Sequence, residues 1–110
     1  MIQDRIDKIE KKIKESKEVK ENEKDELLNL LTNLRTEIND LSKTHKEHAD
    51  SIVRFTEISA HEATRKEKNP ELLNLSIEGL TSSIEGFEVS HPTLVGIINR
   101  ISTMFYNIGI

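Results

Sequence analysis

The chain has 110 residues, 33% charged and 35% hydrophobic, with a formal net charge of −4 and a pI near 5.6. One domain of thin, well-solvated helices matches that balance, and a globule with a large core does not. The acidic balance argues against phosphate-backbone binding as the main role, and the lack of cysteine excludes disulfides, thiolate zinc sites and thiol nucleophiles.

With one Tyr, three Phe and no Trp, few side chains could stack on bases or build an aromatic pocket. The lysines from Lys11 to Lys24 alternate with glutamates and read as a solvated mixed-charge face. Met1 to Glu15 is charged throughout, which the apolar core of a signal peptide does not allow. The most apolar stretch, Thr93 to Ile110, is interrupted by Asn99, Arg100 and Asn107 and is marginal in length for a membrane span. The expectation is a cytoplasmic protein with no membrane span and no nucleic-acid partner.

In chain order, the first predicted helix covers residues 1–18, with Ile2, Ile6, Ile9 and Ile13 on one stripe. The pattern fails across Ser16 to Glu23, where a turn is predicted with Asn22 or Ser16 as cap. The second predicted helix covers 23–66. Its seam runs from Leu27 through Leu31, Leu34, Ile38, Leu41, His45, His48, Ile52 and Phe55, in alternating steps of four and three. No Gly or Pro occurs from Met1 to Asn69, so one helix of roughly 65 Å at 1.5 Å per residue is expected.

Asn69-Pro70 supplies a stop and a restart, since Pro fits a first helical turn. The third predicted helix covers 70–108. Its seam keeps one heptad phase straight through Pro92, from Leu73 by Ile84, Phe87 and His91 to Leu94 and Phe105. A helix starting afresh after Pro92 would not need that phase, so one helix kinked at Pro92 is expected. Gly79, Gly86 and Gly96 then lie inside a helix at about 1 kcal/mol each, offset by close packing, and Gly109 serves as a C-terminal cap.

Folding the second and third helices about Glu67 to Asn69 matches the two seams layer by layer. Leu34 faces Ile101, Leu41 faces Leu94, His45 faces His91, His48 faces Phe87 and Phe55 faces Leu80. The expected class is therefore all-α: a short N-terminal helix beside a long, coiled-coil-like antiparallel hairpin. In that arrangement the distal half is a bare two-helix arm. Its apolar residues Ile52, Phe55, Ile58, Leu73, Ile77, Leu80 and Ile84 are the predicted interface of a homodimer.

His45, His48 and His91 fall in one predicted layer, with Glu88 a turn before His91. Imidazole and carboxylate can bind zinc, but a ferritin-like dimetal site needs two Glu-x-x-His pairs and this chain offers one. The leading reading is a polar layer that fixes register, with a metal- or pH-responsive site as its rival. Ser90 beside His91 makes a poor nucleophile and base, since adjacent residues do not face each other on a helix and no triad is evident. No phosphate-cradling glycine loop occurs. Neither catalytic residue nor cofactor is predicted, and the expected role is a non-enzymatic interaction or scaffold protein.

The segment Phe87-Glu88-Val89-Ser90-His91-Pro92-Thr93-Leu94, with Asn107-Ile108-Gly109-Ile110, resembles an uncharacterised family of small bacterial proteins. Members of that family end on a similar Phe-x-x-Ser/Glu-His-Pro run and a terminal Gly-Ile. Glu23 to Leu28 and Ile38 to Leu41 resemble its first helical hairpin, whereas Thr44 to Asn69 is longer than the family's usual middle. The resemblance implies a bacterial source and a recurrent His91-Pro92 pair, and it supplies no catalytic residue.

Overall fold

In a computed structural model that describes residues 2–110, the apolar stripes fold into five helices. They are α1 (Ile2–Glu15), α2 (Glu21–Ser42), α3 (Lys46–Thr64), α4 (Pro70–Ser83) and α5 (Pro92–Gly109). Met1, which the first predicted helix included, lies outside the described residues.

Helix α1 forms where its stripe predicts, with Ile6, Ile9 and Ile13 buried. The turn after it is pinned by Val19, only 4% exposed. Neither Asn22 nor Ser16 caps α2. Lys20 takes that position, and its N–H donates to the Glu23 carboxylate at 3.1 Å. That is the carboxylate half of a capping box.

The predicted second helix is two. It breaks at Lys43 to His45, and α3 turns back. His45 leaves helical geometry at φ −135° and ψ 62° and becomes the N-cap of α3. The break carries no Gly or Pro; the Thr44 hydroxyl meets His45 Nδ1 at 2.8 Å across it. The predicted third helix is also two. Gly86 takes φ +93°, a conformation that favours glycine, and ends the run after α4. Pro92 then stands in the first turn of α5, where its missing N–H is no loss. Phe87 therefore lies in a corner and Leu94 in a separate helix, so no helix is kinked at Pro92.

Burial explains the preference for corners. Each fully buried Ile or Leu contributes about 1.5–3 kcal/mol. Breaking a helix forfeits a few hydrogen bonds of about 0.5–1.5 kcal/mol net each. The corners bury Ile52, Leu73, Leu80 and Ile84, all of which the bare arm would have left half-covered.

Fixed contacts give the helix directions. Phe55 packs against Gly79, where any Cβ would collide with its ring, and Gly109 touches both Ala63 and Leu73, so the end of α3 meets the start of α4 and the two run antiparallel. Gly109, at the far end of α5, sits against Ala63 and Leu73, so its role is close packing, not the cap expected of it. His45 and His91, the N-caps of α3 and α5, meet with ring centroids 6.5 Å apart. Helices α3 and α5 are therefore parallel, and α2 to α5 form an up-down-up-down arrangement with both histidine corners at one end.

Helix α1 lies along α2 and α3. Arg35 holds Gln3 at 2.6 Å, Asp7 at 2.7 Å and Glu10 at 2.9 Å, while Arg5 holds Glu57 at 2.8 Å. One buried cluster draws on all five helices. The extents are 38 × 24 × 22 Å, and the longest helix, α2, has 22 residues, in place of the expected 65 Å rod.

The two corners expose an internal repeat. Leu27 and Leu73, Leu34 and Leu80, Ile38 and Ile84, Thr44 and Ser90, Ile52 and Ile98, and Arg54 and Arg100 are each as far apart in sequence as His45 and His91. The cap geometry repeats with the sequence: His91 has φ −136° and ψ 61°, and its Nδ1 meets the Ser90 hydroxyl at 2.9 Å, although α4 ends five residues earlier in the repeat than α2 does. Helices α2–α3 and α4–α5 are thus two copies of one hairpin.

Candidate functional site

Phe87 gathers the three histidines. The rings of His45 and His48 lie 5.5 Å from it and that of His91 5.6 Å, all edge to face. Edge-to-face rings at that spacing attract through the aromatic quadrupole by about 0.5–1.5 kcal/mol. Phe87 itself is 7% exposed, whereas His45 and His48 are exposed and His91 is half-buried. The expected layer is therefore a surface cap over one buried ring, fastening both corners at once.

Two of the three imidazoles bond locally. Nδ1 of His45 and of His91 each meet the preceding hydroxyl. Ser90 and His91 do face each other, contrary to the helical expectation, because they sit in a corner and not in a helix. Glu88 accepts from the Gly86 N–H at 2.9 Å and so closes the turn. Among the described residues no group of three or more His, Cys, Asp or Glu side chains could hold a metal ion.

The predicted interface is divided by burial. Ile52, Leu73, Leu80 and Ile84 belong to the chain's own core, and Phe55 and Ile77 are half-buried. Ile58 alone of that set is exposed, at 47%. It has company: Leu72 and Leu75, on α4, are 43% and 56% exposed. Phe55 against Gly79 sets the α3–α4 register. Ile58 lies one turn after Phe55 and Leu75 one turn before Gly79, so the three form a stripe along that seam.

Charge is concentrated elsewhere. Lys8, Lys12, Lys17 and Lys66 line an open cleft at the carbonyl ends of α1 and α3, together with Glu15 and Glu18. Cations there complement both helix dipoles, so the cleft is a solvated structural feature. After Lys68 the only cation is Arg100, bonded to Glu26 at 2.6 Å. That hydrogen bond, helped by the guanidinium charge, holds the Glu26 carboxyl below its ordinary range and raises Arg100. No described helix is long and apolar enough to cross a membrane.

The internal repeat escaped the sequence reading, although the equal spacing of the two Ser/Thr-His pairs signals it. Fold and site together define a small all-helical domain of two repeated hairpins whose exposed features are apolar stripes. The chain belongs to the family described as Domain of unknown function (DUF4404), whose model matches residues 56–110. The large apolar side chains exposed among the described residues all lie in that segment: Ile58, Leu72, Leu75, Val89, Tyr106 and Ile110. No curated protein and no solved structure matches the chain.

Proposed function

We propose that the chain is a non-enzymatic, cytoplasmic interaction protein that pairs with a second copy of itself through the α3–α4 seam. The carrying observation is the stripe of Ile58, Leu72 and Leu75, which the described residues leave 47%, 43% and 56% exposed. A two-fold axis along that seam brings the same apolar side chains of both copies together, the arrangement of most homodimers. Light scattering at micromolar concentration should give twice the chain mass, and Ile58→Glu with Leu75→Glu should return a folded monomer. A parent that scatters as a monomer would sink the reading.

A second reading is a metal- or proton-responsive corner, supported by the three imidazoles on Phe87. Its test is a set of melts with and without stoichiometric zinc, at about pH 5.5 and 7.5. A zinc-dependent rise lost in His45→Leu with His91→Leu favours it, and a parent indifferent to zinc and pH removes it.

A further inference from the structure

The repeat makes the two hairpins comparable residue by residue, and one of them carries a lid. Helix α1 lies across α2–α3, with Arg35 and Glu57 bonded to it on either flank. Leu31, Val53, Thr56 and Ala60 of the same groove are buried. Shifted by the repeat, these six positions become Ile77, Thr81, Asn99, Ser102, Thr103 and Tyr106. Those six residues line an open groove of about 400 Å³ between α4 and α5.

Two features mark this second groove as built for an occupant. Ser102 is 6% exposed, yet its hydroxyl has no hydrogen-bond partner among the described residues, whereas its counterpart Thr56 donates to the Ile52 carbonyl at 2.7 Å. Asn99 and Tyr106 are exposed where Val53 and Ala60 are fully buried.

We infer that the α4–α5 groove docks a single amphipathic helix of another protein, seated as α1 is seated on α2–α3. The groove also states what that helix must be. Thr81 and Thr103 replace Arg35 and Glu57, so its flanks are polar and uncharged. The α1 of a second copy would leave Arg5, Asp7 and Glu10 unpaired there, which discriminates against it. Arg5 beside Glu57 places Ala60 against the turn of α1 carrying Ile9. Tyr106 stands in Ala60's place, so the guest has a small residue at that turn between two apolar ones. Ile77 and Thr81 lie on the flank of α4 opposite Leu72 and Leu75, so this site is separate from the dimer seam.

Tyr106 is the only tyrosine and the chain has no tryptophan, so its fluorescence reports on the groove alone. The probe is a peptide of residues 2–15 carrying Arg5→Gln, Asp7→Gln, Ile9→Ala and Glu10→Gln. Titrated into the full chain, it should change Tyr106 fluorescence saturably and shift the amide signals of Asn99, Ser102 and Thr103. The unaltered peptide should bind at least about tenfold more weakly. That preference should reverse in Thr81→Arg with Thr103→Glu and Tyr106→Ala, read by the same amides. Leu75→Glu should leave the titration unchanged, which separates this site from the dimer seam. No response at about 1 mM probe, or shifts confined to Val53 and Glu57, would overturn the inference. So would a peptide-free oligomer broken by Asn99→Glu with Thr103→Glu, which would make a second copy the occupant.

Discussion

The two hairpins share a capped corner and a core spacing, and they differ in what lies across them. Helices α2–α3 are covered by α1, which brings charged side chains to Arg35 and Glu57 and lets Val53 and Ala60 be small and fully buried. Helices α4–α5 have no such lid, and their equivalent face is uncharged and carries Tyr106 in the open. The lesson is that a repeat fixes the scaffold, while the lid decides which face becomes core and which becomes surface.

The largest effect should come from attacking the lid. Ile9 is 1% exposed, so Ile9→Asp places an unpaired charge in the core and should cost about 3–5 kcal/mol. Asn99→Asp, on the uncovered face, should change stability by less than about 0.5 kcal/mol. Urea unfolding of both variants breaks the comparison if the two losses are alike.

Next come two glycines of the second hairpin, one packed and one open. A methyl at Gly79 meets the Phe55 ring, whereas one at Gly96 meets nothing. Gly79→Ala should destabilise by about 1–3 kcal/mol, and Gly96→Ala should stabilise by about 0.5–1 kcal/mol because it lies inside α5. Thermal melts with opposite shifts are expected, and two shifts of the same sign would contradict this packing.

Much of this was legible in the sequence. The stripe of α1 and the Asn69-Pro70 boundary follow from apolar spacing and helix-capping chemistry alone, whereas His45 and His91 meet as the caps of two parallel helices and not as facing layers of an antiparallel hairpin. The two corners were not legible. A seam in steps of four and three looks the same whether a helix continues or a repeated hairpin returns to the same core. The break after α2 carries neither Gly nor Pro, and a glycine that takes positive φ, as Gly86 does, looks in the sequence like one placed for close packing. The interface followed from that error: once α3 folds back, Ile52, Leu73, Leu80 and Ile84 turn inward and leave Ile58 to pair with Leu72 and Leu75.

A smaller effect sharpens the contrast at the two buried hydroxyls. Ser102→Ala removes an unpartnered oxygen and should be neutral or stabilising by up to about 1 kcal/mol. Thr56→Val keeps the shape but loses a made hydrogen bond, and should cost about 0.5–1.5 kcal/mol. Equal outcomes in denaturant titrations would mean that the two grooves are not in different states.

The smallest effect joins the hairpins through Glu26 and Arg100. The Glu26 pKa is lowered on folding. Its contribution is therefore present above the ordinary carboxylate range and is lost as pH falls through the lowered value. Arg100→Gln should lower stability slightly at neutral pH and match the parent in strong acid. A difference that persists in acid would point to packing instead of charge.

The central claim is that the chain reverses at both histidine corners, and one distance tests it most directly. Lys66 and Asn107 are exposed, and the compact fold brings their neighbourhoods together through Gly109, Ala63 and Leu73. Spin labels at these two positions, diluted with unlabelled protein, should lie within about 25 Å by pulsed electron resonance. A separation of about 50–60 Å, the length of an unbroken helix from Pro70 to Asn107 at 1.5 Å per residue, would contradict the account.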